Sequence, residues 1–255
     1  MVKLFSRSTG QGPPLVILHG LFGSSDNWQT FAKMLSDHYA VITVDLRNHG
    51  LSPHTEEFSF EWIGRDLYQF AEDQGLREFY LMGHSLGGKA AAFFALRYPD
   101  RVKKLIILDI ATKAYPPHHE KYFEAMLSLD FNLIRNRNEA DAWLQRSISS
   151  LPVRQFLLKN LVRDAEGRFR WKFNLRGLYE QYDAINVAIE SETPFDKPVL
   201  VLAGEHSSYI QPEDKEPMRA LFPRASFKTI PGAGHWIHAD QPELLRSEVV
   251  GFLGE

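Results

Sequence analysis

Short apolar runs rich in β-branched residues recur along the chain. They are PLVILHG (14–20), YAVITVDL (39–46), EFYLMGH (78–84), VKKLIILDI (102–110), KPVLVLAGE (197–205) and ASFKTIPG (225–232). Each is apolar on both faces or nearly so, the pattern of strands buried in a parallel sheet. Segments of helical periodicity lie between most of them, over 26–37, 60–74, 86–98, 212–222 and 241–253. Strands alternating with helices predict an α/β fold: a mostly parallel central sheet flanked by helices. The opening VKLFSRS predicts an antiparallel edge strand.

The alternation breaks once, between the runs at 102–110 and 197–205. A structureless loop of about 85 residues would be improbable there. The segment holds no convincing central strand and is rich in aromatic and basic residues, among them Tyr115, Phe131, Trp143, Phe156, Trp171 and Tyr182. Stretches such as 118–130 and 138–149 have helical periodicity. The expectation is a core domain of residues 1–112 and 191–255, with residues 113–190 inserted as a helical lid after the run at 102–110. No internal repeat or low-complexity stretch is present.

Composition narrows the chemistry. The 255 residues are 44% hydrophobic and 24% charged, as in ordinary globular proteins. A net charge of -3 with mixed signs gives no reason to expect nucleic acid or an anionic membrane as partner. The absence of cysteine excludes disulfides, thiolate catalysis and thiolate metal sites. No apolar run approaches the roughly 18 residues that span a bilayer. The amino terminus lacks the apolar core and cleavage pattern of a signal peptide. The expected location is cytoplasmic.

Against that background one stretch stands out. Gly83-His84-Ser85-Leu86-Gly87 matches G-x-S-x-G, with an apolar run before it and an alanine-rich helical run after it. A sharp strand-to-helix turn would lift the Ser85 hydroxyl clear of the sheet. Glycine is needed on either side where a side chain would collide with the neighbouring strand and helix. The bland alternative is a glycine-softened loop with a capping serine.

A serine hydroxyl needs a base to become nucleophilic. In this kind of fold the base follows the last strand, and His235 does so at the end of Pro231-Gly232-Ala233-Gly234. His238 competes. An oxyanion hole needs two N–H donors. Leu86 follows the nucleophile, and Leu21 lies in the loop His19-Gly20-Leu21-Phe22-Gly23 after the first central strand; for the His19 side chain a structural role is preferred. The acid is less direct. The position where this fold often carries an aspartate, after 197–205, holds Ser207, with Glu205 nearby. Asp109 ends an apolar run on the strand next to Ser85, where a carboxylate is costly without a partner. Asp109 is therefore assigned as the acid, with Glu205 as the alternative. Phe22, His84 and Trp236 are expected to line the substrate pocket, and for Trp236 core packing is the equal alternative.

Taken together, HGLFGSSDNW, DLRNHGLSP, GHSLGGKAA, LDIA and GAGHWIHAD resemble the α/β-hydrolase superfamily, and within it the small bacterial esterases typified by YbfF and their mitochondrial relatives. The resemblance covers essentially the whole chain. It implies a Ser–Asp–His esterase with its acid after the sixth strand and a helical lid. The amino terminus is short for the two leading strands of that fold.

The activity expected is hydrolysis of short- to medium-chain acyl esters or thioesters through an acyl-enzyme, with no metal or organic cofactor. The alternatives are a carbon–carbon bond hydrolase or lyase, whose polyanionic substrates Arg135, Arg137, Arg146 and Arg154 would orient, and a catalytically idle binding protein. Arg47, Asn48 and His49 could line the site, but a structural role tying neighbouring loops together is preferred, and Lys89 is read as a helix-surface or lid contact rather than catalytic.

Overall fold

The computed structural model describes residues 1–254. Its amino-terminal part runs β1 (Ser6–Thr9), β2 (Pro14–Leu18), α1 (Gln29–Leu35), β3 (Ala40–Val44), α2 (Phe60–Asp73), β4 (Phe79–His84), α3 (Leu86–Arg97) and β5 (Val102–Leu108). The chain returns to the sheet with β8 (Val199–Gly204), α9 (Lys215–Leu221), β9 (Ala225–Ile230), α10 (Ile237–Asp240) and α11 (Pro242–Gly254). Seven strands form one sheet in the order β1-β3-β2-β4-β5-β8-β9. Every pairing is parallel except that of β1 with β3.

The six apolar runs of the sequence are the six parallel strands. Their side chains divide by the two-residue period of a strand. Val16 and Leu18 of β2 join Leu105 and Ile107 of β5 on the face covered by α2 and α3. Leu15 and Ile17 join Ile106 and Leu108 on the face covered by α1 and α11. Two details differ from expectation. The chain opens with a single antiparallel edge strand, Ser6–Thr9, so the insertion follows the fifth strand rather than the expected sixth. The last strand, β9, is half exposed because it is the other edge of the sheet.

Between β5 and β8 lie α4 (Glu120–Leu127), α5 (Arg137–Leu144), α6 (Leu151–Leu158), β6 (Leu161–Arg163), β7 (Phe169–Trp171), α7 (Leu175–Glu180) and α8 (Asp183–Asn186). The expected helices are present. The segment is not wholly helical, however: β6 and β7 form an antiparallel hairpin that periodicity missed. Strands of three residues are too short to show alternation, and only the turn around Gly167, with φ of 79°, marks them. Both ends of the segment are gripped from the core. Lys89 on α3 donates to the carbonyl of Lys113 at 3.0 Å and to that of Val187. Among the described residues no helix is long and apolar enough to cross a membrane.

Candidate active site

Strand register brings the chemistry-bearing residues to one edge. Leu18 pairs with Gly83, His84 with Leu108, and Leu108 with Leu202. His19 to Leu21, Ser85 and Asp109 therefore sit side by side beyond the carboxyl ends of β2, β4 and β5, where open α/β sheets bind ligands.

Ser85 has φ of 54° and ψ of -121°, a conformation costly for any residue with a side chain. Its N–H donates to Leu108 O at 3.0 Å, which anchors the turn to β5. A Cβ on Gly83 would lie 2.0 Å from Gly87 O, and one on Gly87 2.5 Å from His19 O. Both glycines are therefore required by close approach of backbone. Leu86 opens α3, whose first amides lack intrahelical acceptors. The loop after β2 passes directly against Ser85, for a Cβ on Gly20 would lie 3.2 Å from Ser85 Cβ. Among the described residues the Leu21 N–H has no backbone acceptor.

Asp109 is fully buried and also has a positive φ, 50°. Its Oδ2 accepts from His235 Nδ1 at 2.7 Å. A carboxylate can only accept, so the proton is on Nδ1 and Nε2 is the basic nitrogen. Asp109 Oδ1 accepts from Gly204 N–H at 2.9 Å, and Oδ2 also accepts from the hydroxyl of Ser207. Glu205 does not reach the imidazole; it is half exposed and accepts from Gly232 N–H. Among the described residues no hydrogen bond joins the Ser85 hydroxyl to His235. Such contacts often tighten only around bound substrate.

Other histidines crowd this edge, and burial keeps them neutral. His84 donates from Nε2 to His235 O at 2.7 Å, and burial pushes its pKa well down. His238 stacks on Trp28 with ring centroids 4.2 Å apart, and burial lowers it to about 3. His119 lies 2.7 Å from the Tyr182 hydroxyl and is lowered by burial to about 3. His19 donates from Nδ1 to Gly20 O and accepts at Nε2 from Leu46 N–H, the structural role expected of it. Among the described residues, His235 is the histidine that hydrogen-bonds a carboxylate. Among the described residues no three histidine or acidic side chains are grouped to hold a metal ion.

A cavity of about 280 Å³ opens over Ser85. Phe22, His84 and Trp236 line it, together with Trp28, Phe156 and Tyr209. Trp236 packs on Phe156 at 5.3 Å between ring centroids, so it serves the cavity and the packing together. Sequence reasoning missed Tyr209, whose ring stacks on His235 at 4.0 Å and 19°. It missed His119 as well. No local pattern marks either residue.

The sequence profile of the alpha/beta hydrolase fold family matches residues 13–242. The chain belongs to the α/β-hydrolase family. It is 39% identical over 249 residues to the sn-1-specific diacylglycerol lipase ABHD11 of Mus musculus, covering 94% of this chain and 81% of the relative. It is 35% identical over 243 residues to esterase YbfF of Escherichia coli (strain K12), covering 95% and 93%. The solved structure of a marine microorganism esterase superposes with a TM-score of 0.96 at 41% identity, covering 99% of this chain and all of that one. These relatives are carboxylic ester hydrolases by name, and the chain is an enzyme of that class.

Within this α/β hydrolase the remaining candidates fall away from the cavity. Arg47 is buried in an ion pair with Asp66, its Nε 2.6 Å from Oδ2. Asn48 O accepts from Asn174 N–H, and His49 donates from Nδ1 to Arg47 O. This loop ties neighbouring segments together. Lys89 contacts the insertion, and burial without a carboxylate lowers it to about 8. None of Arg135, Arg137, Arg146 and Arg154 borders the cavity, and Arg154 is paired with Asp141.

Proposed function

We propose that this chain is a serine carboxylesterase that cleaves short- to medium-chain acyl esters or thioesters through an acyl-enzyme. The observation that carries the reading is the 2.7 Å contact of Asp109 with His235 beside a strained Ser85 under an apolar cavity. Ser85 Oγ bonds to the carbonyl carbon while its proton passes to His235 Nε2. The N–H groups of Leu21 and Leu86 receive the oxyanion. Collapse breaks the bond to the leaving oxygen or sulfur, which takes the proton from His235. Water then attacks the acyl-enzyme with His235 again as base and releases the acid. Asp109 holds the imidazole tautomer and offsets its positive charge. No metal or organic cofactor enters these steps.

Residues 113–190 act as a cap over a core of residues 1–112 and 191–255. Support comes from the cavity wall, which combines Phe22 and Trp236 of the core with Val153, Phe156 and Leu157 of the insertion. The names of the relatives, an esterase and a diacylglycerol lipase, agree with an ester as substrate.

The test is hydrolysis of p-nitrophenyl esters by the wild type beside Ser85→Ala, together with organophosphate labelling of both. The reading requires ester turnover, a fall in kcat on the order of 10⁴ or more in the variant, and label on the wild type alone. A folded wild type that cleaves no ester and takes no label refutes it.

A further inference from the structure

Two cavities meet at Ser85. The large one runs past His84, His235 and Trp236. A second, of about 40 Å³, also borders Ser85 and is walled by the first turn of α3 and the segment after β5. Leu86, Lys89, Ile110, Tyr115 and Ile185 bound it. Leu21, Ser85, His119 and Tyr209 border both spaces, whereas His235 borders only the large one.

This asymmetry sorts the substrate, given the serine-esterase reading above. The tetrahedral carbon carries four groups: Ser85 Oγ, the oxyanion, the leaving atom and the acyl chain. The leaving atom takes its proton from His235, so the leaving group lies on the imidazole side. The oxyanion points to the Leu21 and Leu86 amides. The acyl chain takes the remaining direction, away from His235. We infer that the small cavity is the acyl subsite and the large apolar cavity is the leaving-group subsite.

Size then names the substrate class. A volume of about 40 Å³ holds about three water-sized groups, which is room for acyl chains of roughly two to four carbons. The walls resist expansion. Ile110 is buried, and a Cβ on Gly88 would already lie 2.6 Å from its Cγ2. Lys89 fastens both ends of the insertion beside the cavity. The substrates are acetyl to butyryl esters or thioesters of a larger, apolar alcohol or thiol.

The experiment measures kcat/KM on two series. One lengthens the acyl chain on p-nitrophenol from acetate to octanoate. The other lengthens the alcohol from ethyl to octyl acetate. The expected result is a fall of about tenfold or more from butyrate to octanoate, because added methylenes overpack a tight site, and a rise along the acetates. Ile185→Ala, which cuts back one wall of the small cavity, should raise the octanoate-to-butyrate ratio. Val153→Phe, which narrows the large cavity, should lower the octyl-to-ethyl ratio among acetates. The reverse pattern, with octanoate preferred and longer alcohols penalised, overturns the assignment and leaves the esterase reading standing. Absence of all ester cleavage, with Ser85 unreactive to organophosphate, overturns both.

Discussion

The hydroxyl of Ser207 donates to Oδ2 of Asp109, the same oxygen that accepts from His235 Nδ1. With Gly204 N–H on Oδ1, the buried carboxylate is held at both ends. Its orientation toward the imidazole depends on all three donors. A hydrogen bond to a charged group contributes about 1.5–3 kcal/mol. Ser207→Ala should therefore lower kcat by about tenfold to a hundredfold if that contribution is realised in the transition state. KM should change little. Steady-state kinetics on a folded variant, checked by circular dichroism, decides it, and an unchanged kcat would refute the role.

Tyr209 supports the same imidazole from its face and lies 2.8 Å from His118 through its hydroxyl. The two contacts separate by substitution. Tyr209→Phe keeps the stack and loses the hydroxyl. Tyr209→Leu loses both. Stacked aromatic pairs contribute about 0.5–1.5 kcal/mol, so kcat/KM should fall about threefold to tenfold in the leucine variant. The phenylalanine variant should stay near wild type. Equal losses would instead assign the effect to the hydroxyl and its bond to the insertion.

His119 and His238 make the fold acid-sensitive. Both are lowered by burial from 6.5 to about 3. Between these values the unfolded chain takes up protons that the folded chain does not, so stability present above about pH 6.5 is lost as pH falls toward 3. Each residue should account for about 2 kcal/mol of loss between pH 7 and pH 5. Urea unfolding at the two pH values measures the total, to which His84 and His49, also lowered by burial, add in the same direction. His238→Phe, which can remain stacked on Trp28, should reduce the loss by about half of the two-residue total.

The Arg47–Asp66 pair lies under the loop rather than in the cavity, with side chains only 2% and 1% exposed. Asp66 also accepts from Val2 N–H at 2.8 Å. Arg47→Met would strand a buried carboxylate and should cost about 3–5 kcal/mol of stability. Turnover per folded molecule should persist. The double variant Arg47→Met/Asp66→Leu should recover much of the loss, which denaturant titration reads directly.

Local features of this protein were legible in the chain itself. The strands were readable because buried parallel strands are apolar on both faces. Ser85 was readable because its glycine neighbours answer to a clash within a few residues of sequence. Asp109 was readable because a carboxylate ending an apolar run demands a partner. The order of elements then nominated His235. What only the tertiary structure decided lies in contacts between distant segments. Ten histidines share one composition, yet Asp109 reaches only the one 126 residues away. Ser207 stands where the fold often carries an aspartate, and its hydroxyl donates to the Asp109 carboxylate at the end of the neighbouring strand. Tyr209, His118 and His119 carry no signature, because stacking and hydrogen bonds across some 90 positions leave no period in the sequence. The hairpin of β6 and β7 was too short to show one. The two cavities at Ser85 exist only as the space left when the insertion packs on the sheet edge, and no residue alone encodes their volumes.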